Sequence, residues 1–117
     1  LYAYLVIAAM QYKDEKYAGY YNVGPDDVDC FQTGALVDLF VGKWGEGMKW
    51  INRYDGGPHE ANFLKLDCSK LKTTFGWKPH WNLDTAIEMV VEWSKCWVEG
   101  GDIRSCMDKQ IEIFMNK

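Results

Sequence analysis

The run Phe75-Gly76-Trp77-Lys78-Pro79 constrains the fold more than any other stretch, because no regular element can pass through it. A glycine after a short helical pattern supplies the left-handed residue that ends a helix, and a proline three residues on bars an immediate restart. On its N-terminal side, Ser69 to Phe75 reads as a short helix with Asp67 as the expected N-cap. On its C-terminal side, Asn82 caps a longer helix. There Leu83, Ala86, Ile87, Val90, Val91 and Trp97 fall on helical spacing with Trp93 on the flank, and Asp84, Glu88, Glu92 and Lys95 face water. Trp77 stands where a Schellman-type ending places an apolar residue, so it is expected to fold back onto Leu71. Ahead of Asp67, the alternation from Ala61 to Leu66 predicts a short strand.

The rest of the chain supports this stretch. Leu1 to Met10, extended through Tyr12 toward Lys16, is apolar on almost every side, the pattern of a helix covered from several directions. Tyr20 to Val23 predicts a short strand closed by Gly24-Pro25. Thr33 is the expected cap of a helix in which Leu36, Val37, Phe40, Val41 and Trp44 repeat at three and four, and Gly45 ends it. Met48 to Tyr54 predicts another short strand, followed by the loop Asp55-Gly56-Gly57-Pro58. Gly100-Gly101 breaks the long helix, and Ile103 to Met115 reads as a peripheral one. The pattern as a whole is α/β, mostly helices with a few short strands, in a single unit spanning residues 1–117.

The net charge of −4 and pI near 5.1 exclude non-specific nucleic-acid binding, which needs clustered Lys and Arg against phosphates. Four cysteines, at 30, 68, 96 and 106, form no C-x-x-C and no ligand spacing with His59 or His80, which argues against zinc. They read as reduced thiols of a cytoplasmic protein. Leu1 to Met10 is too short to span a membrane. The chain begins without Met and is expected to be an excised or processed piece.

A predicted strand ending in Asp, then Ser-Lys, a short helix, Phe-Gly-Trp-x-Pro and a Leu-initiated amphipathic helix with Glu92-Trp93 near its end make up a distinctive order. It resembles the C-terminal region of extended short-chain dehydrogenases/reductases acting on nucleotide sugars. The version here, His59-Glu60-Ala61 leading to Leu64-Lys65-Leu66-Asp67-Cys68-Ser69-Lys70, together with Tyr21-Asn22-Val23-Gly24-Pro25, is most similar to the CDP-glucose 4,6-dehydratase branch. The resemblance runs along nearly the whole chain but corresponds to only about the last third of such an enzyme. It implies a Rossmann-type architecture whose N-terminal NAD-binding domain is absent here, leaving a substrate-binding part. It also implies a lyase of deoxysugar biosynthesis, possessing a nucleotide sugar (CDP-glucose) as substrate and capable of homo-oligomer formation. In the intact enzyme, tightly held NAD oxidises C4, water is eliminated across C5 and C6, and hydride returns to C6.

His59 and Glu60 are the leading substrate-binding candidates, since the family's loop at this place borders the nucleotide-sugar cleft and loops on a rigid scaffold often carry ligand contacts. The bland alternative is a Glu60 ion pair and a merely exposed His59. Arg53, just upstream, has the guanidinium suited to clamp a diphosphate, although most arginines are simply solvated. Asn22 and Asp26 can face a ligand but equally suit a turn. Two apparent motifs are set aside. Tyr12-x-x-x-Lys16 has the spacing of the family's proton-transfer pair but lies at a helix end, whereas the family's pair lies upstream. Gly42, Gly45 and Gly47 follow a helix instead of joining a strand to a helix N-terminus. No catalytic residue, metal site or cofactor site is therefore expected in this chain. Trp44, Trp50, Trp77, Trp93 and Trp97 are expected in the core; Trp81, outside both helices, is the one to watch for stacking on a sugar. Two rival readings remain: a free-standing nucleotide-sugar-binding or self-association module derived from such an enzyme, and a carbohydrate-binding module using exposed Trp.

Overall fold

A computed structural model describes residues 1–53 and 65–116. Five α-helices follow in order: α1 (Tyr2–Lys13), α2 (Thr33–Trp44), α3 (Ser69–Phe75), α4 (Leu83–Val98) and α5 (Ile103–Met115), with single 3-10 turns at Glu15–Tyr17 and Asp27–Asp29. The predicted punctuation is in place. Gly76 ends α3 in the left-handed region (φ 61°, ψ 22°), Gly45 follows α2 at φ 69°, and Gly100 follows α4 at φ 70°. Asn82 caps α4 by accepting from the Thr85 N–H at 2.9 Å. Asp102 does the same for α5, accepting from Ser105 N at 3.1 Å.

Two expected caps are displaced by one position. Cys68, not Asp67, occupies the cap of α3, while the Asp67 carboxylate accepts from Ser69 N at 2.9 Å. That is an Asx-turn leading into the helix, an arrangement open to any Asp two residues before a first-turn N–H. Gln32, not Thr33, precedes α2, and Thr33 is its first helical residue.

The expected strands are not found among the described residues, which contain helices, turns and extended segments only. Tyr20 to Val23 is irregular backbone, as are Met48 to Arg53, and most of the run from Ala61 lies outside the described residues. The physical reason is visible around Tyr20 to Val23. Its carbonyls and side chains are taken up by α3 and the residues leading into it: Lys70 Nζ donates to Tyr20 O at 3.1 Å, and Asn22 Nδ2 donates to Asp67 O at 3.1 Å. β-prone residues form a strand only where a second backbone edge is in register with them. Here side chains take that place.

Ala3, Leu71 and Trp77 form the buried centre, with Val6, Ile7, Tyr21 and Phe75 packed against it. Trp77 does fold back toward Leu71, which is fully buried. Ala3, Val6 and Ile7 lie three and four apart, so a single face of α1 meets the cluster. Leu1, Tyr4 and Leu5 are exposed, and the all-round cover expected for α1 is not provided by the described residues. A second contact zone joins α2 to α4 and α4 to α5, and Val91 is the buried residue of α4. It is reinforced by Lys43 with Asp84 at 2.9 Å and Lys95 with Glu46 at 2.6 Å. An aromatic cluster bridges the two zones. The Tyr2 ring lies 6.2 Å from Trp77 and 5.6 Å from Phe114 of α5, and His80 and Trp81 lie 4.5 and 5.0 Å from Phe114.

With so few fully buried side chains, each carries an unusual share of the stability. Leu71→Ala should cost about 2–5 kcal/mol, read from urea unfolding followed by tryptophan fluorescence. Tyr20→Ala, at a 96% exposed position, should stay within about 0.5 kcal/mol. Equal effects would mean that the Ala3–Leu71–Trp77 cluster does not hold the fold.

Candidate functional site

A cleft of about 610 Å³ opens between the turn at Pro25 to Asp27 and the stretch from Lys65 into α3. Local chemistry shapes both walls. Gly24-Pro25 turns the chain so that Asp26 starts a 3-10 turn, with its carbonyl accepting from Asp29 N at 2.9 Å. The Asx-turn at Asp67 aims the opposite wall. The walls approach closely enough that a Cβ on Gly24 would lie 3.1 Å from Cys68 Sγ, so a side chain there would push them apart.

Three side chains bind the walls together. Asn22 donates to the Asp67 carbonyl, Lys65 pairs with Asp27 at 2.6 Å, and Lys72 pairs with Asp26. The pairing favours the charged forms of Lys65, Lys72 and Asp27. The Lys65 ammonium draws the Asp27 carboxyl below the ordinary carboxylate range, and Asp27 in turn raises Lys65. Asp26 raises Lys72, and the side chain and N–H of Ser69 lower Asp67. The shifts of Asp27, Lys65, Asp67 and Lys72 all run away from neutrality. These residues therefore offer charges and hydrogen bonds to a ligand. Two ammonium groups beside a short helix can meet the oxygens of a phosphate if the ligand competes with Asp26 and Asp27 for them.

A smaller cleft of about 310 Å³ shares Asp26 and adds Asp29, His80, Trp81, Asn82 and Thr85. Here Trp81 Nε1 and His80 Nε2 are buried with no hydrogen-bond partner among the described residues, as is Trp77 Nε1. Trp81 sits edge-on to Phe114 and also borders an apolar hollow of about 330 Å³ with Met89, Val90 and Trp93.

Of the residues singled out from sequence, His59 and Glu60 lie outside the described residues. Arg53 is exposed and is not part of either cleft wall. Asn22 and Asp26 stand at the cleft, one tying the walls together and the other bordering both cavities. Tyr12 is 94% exposed at the last turn of α1, while Lys16 is held by Asp14 at 2.8 Å in the following 3-10 turn. Gly42 lies inside α2, and Gly45 and Gly47 turn the chain after it, with no strand leading into them. The expectation that most tryptophans are core fails: only Trp77 is buried. Trp97 is 66% exposed, Trp93 is more than a third exposed, and Trp50 reaches back to give its Nε1–H to Asp38 at 2.8 Å. Helical spacing identifies the face of a helix but not what covers it. Sequence reading missed Lys65, Lys72 and Asp27, because a lysine beside a short helix carries no pattern that separates it from solvated lysines.

No protein-family model matches the chain. It is 36% identical over 114 residues to the CDP-glucose 4,6-dehydratase of Salmonella typhimurium, an alignment that takes in 97% of this chain and 32% of that protein. The chain thus spans about a third of the length of the relative it matches, corresponding to its C-terminal part, as the motif from His59 to Lys70 implied.

The carboxylates held low here and elsewhere, including Glu92 by Lys109 and Asp102 by Ser105, give a signed pH dependence. Their contribution is present above the unfolded-state pKa and is lost as pH falls through the folded one. The urea midpoint should accordingly decline between about pH 5 and about pH 3, and Asp27→Asn should flatten part of that decline. A midpoint indifferent to pH over this range would show that these pairs contribute nothing.

Proposed function

We propose that this chain is the substrate-side C-terminal portion of a nucleotide-sugar 4,6-dehydratase, a lyase, and that its substrate is CDP-glucose. The observation that carries the reading is sequence identity spread along 97% of the chain to a protein of that name. The cleft supports it: ammonium groups and hydrogen-bond donors on its walls suit a part that holds a nucleotide sugar. His59 and Glu60 contact the substrate in this reading, and Arg53 faces its diphosphate.

NAD, which the resemblance assigns to the intact enzyme, does not fit the described residues. Their positive-φ glycines follow helices instead of opening one, and Lys16 is held by Asp14 while Tyr12 is exposed. The cofactor site and the catalytic pair belong to an N-terminal domain outside this sequence, and this chain by itself is inactive. A second reading, a self-associating module, is favoured by one observation, the exposed apolar side chains of α1.

The purified chain with CDP-glucose and NAD should form no 4-keto sugar; turnover would overturn the assignment of chemistry to another domain. Calorimetric titration should show CDP-glucose bound at least about tenfold more tightly than UDP-glucose, a difference of about 1.4 kcal/mol. His59→Ala and Glu60→Ala should each weaken that binding. Failure to bind either nucleotide sugar, combined with a concentration-dependent dimer in light scattering, would favour the self-associating module instead.

A further inference from the structure

Cys96 and Cys106 form a thiol pair across the α4–α5 hairpin. The register of the two helices is set by bonds one turn further from the loop. The Glu92 carboxylate accepts from Lys109 Nζ at 2.9 Å and from Gln110 Nε2 at 3.1 Å, and Gln110 Nε2 also donates to Met89 O at 2.8 Å. One turn along α4 from Glu92 is Cys96, and one turn back along α5 from Gln110 is Cys106, so the contact that joins Glu92 to Gln110 joins the two cysteines next. The Cys96 side chain is near enough to act on the Cys106 thiol. The connecting loop closes over the sulfur: Gly101 N donates to Cys96 O at 2.8 Å, and a Cβ on Gly101 would fall 2.9 Å from Cys96 Sγ. Both cysteines are partly exposed and therefore open to small reagents. Cys30 and Cys68 lie in other parts of the fold, Cys30 beside the 3-10 turn at Asp27–Asp29 and Cys68 at the start of α3.

We infer that Cys96 and Cys106 are a redox modification site, a dithiol that closes to an intramolecular disulfide under a peroxide and staples α5 to α4. Burial first, then the neighbouring Cys96 and Glu92, pushes the Cys106 thiol up, and the reaction is followed with Cys96 as the attacking sulfur, the sum being the same in either order. The Cys96 thiolate attacks hydrogen peroxide: an S–O bond forms, the O–O bond breaks, and the hydroxide released takes up the proton that Cys96 gave to solvent. Cys106 sulfur then attacks the sulfenic sulfur. The S–S bond forms, the S–O bond breaks, and the departing hydroxide leaves as water with the Cys106 proton. The sum is two thiols and one peroxide giving one disulfide and two waters. The new bond spans the hairpin loop that Gly100 and Gly101 open, and fixes the helix whose Phe114 completes the aromatic cluster.

Trypsin provides a direct test, because it cleaves after Lys95, Arg104 and Lys109 and so separates the two cysteines. After stoichiometric hydrogen peroxide, a non-reducing digest should contain the peptide Cys96–Arg104 joined to Ser105–Lys109, and thiol titration should fall from four groups to two. The thermal midpoint should rise by at least about 4 °C and return on reduction with dithiothreitol. Cys96→Ser and Cys106→Ser should each abolish both the linked peptide and the rise. Linkage through Cys30 or Cys68, disulfide-linked dimers, sulfinic acid in place of the disulfide, or a midpoint rise that survives in Cys96→Ser would each overturn the inference.

Discussion

The left-handed turn at Gly76 is the constraint on which the rest of the structure depends. It ends α3 after seven residues and swings Trp77 back toward Leu71, so the two close a small core that α1 completes with Ala3, Val6 and Ile7. A residue with a Cβ at this φ would strain the turn by about 1 kcal/mol. Pro79 then biases Lys78 away from helical backbone, and Asn82 restarts the helix. The intervening His80 and Trp81 are thereby aimed at Phe114, which couples the short helix to α5. One glycine thus sets the relation between the two contact zones of the molecule.

What this arrangement does not provide is a large interior. The Cα radius of gyration is 17.7 Å in a body of 52 × 41 × 22 Å, whereas a compact domain of this length has about 13 Å. Exposed Leu1, Tyr4 and Leu5 on α1 and Trp97, Val98, Met107 and Ile111 on the α4–α5 hairpin are apolar groups of the size that ordinarily finds cover. Ion pairs do not make up the difference, because those between α2 and α4 and at the cleft are substantially exposed and individually weak. The chain is a slab whose order rests on a few well-placed side chains.

This explains which features were legible in the sequence. Helix ends were, because they depend on residues whose physics is local: Gly45, Gly76 and Gly100 at positive φ, and the Asn82 side chain on a backbone N–H three residues away. The C-terminal helix, Ile103–Met115, matches its predicted span for the same reason. The strands were not legible, since Tyr20 to Val23 has β-prone residues but no backbone edge beside it among the described residues, and pairing is a property of two segments. Tryptophan burial failed likewise: the periodicity of α4 locates Trp93 and Trp97 on its faces but cannot say whether anything packs there. At the cleft, Asn22 and Asp26 were visible because a Gly-Pro turn singles them out, while the lysines opposite were not.

The cleft also shows how charge can separate holding from reacting. A group that transfers a proton at neutral pH needs its pKa drawn toward neutrality, by burial or by a like charge. Lys65 and Lys72 have the reverse environment, each facing a carboxylate, and Asp27 and Asp67 are pulled lower by the donors they accept from. Such a site trades reactivity for persistence: its charges are the same across the whole physiological range. A diphosphate arriving there would compete with Asp26 and Asp27 for ammonium groups that are already charged and already oriented. Binding would exchange one set of ion pairs for another instead of creating or burying charge, which keeps the cost of entry low.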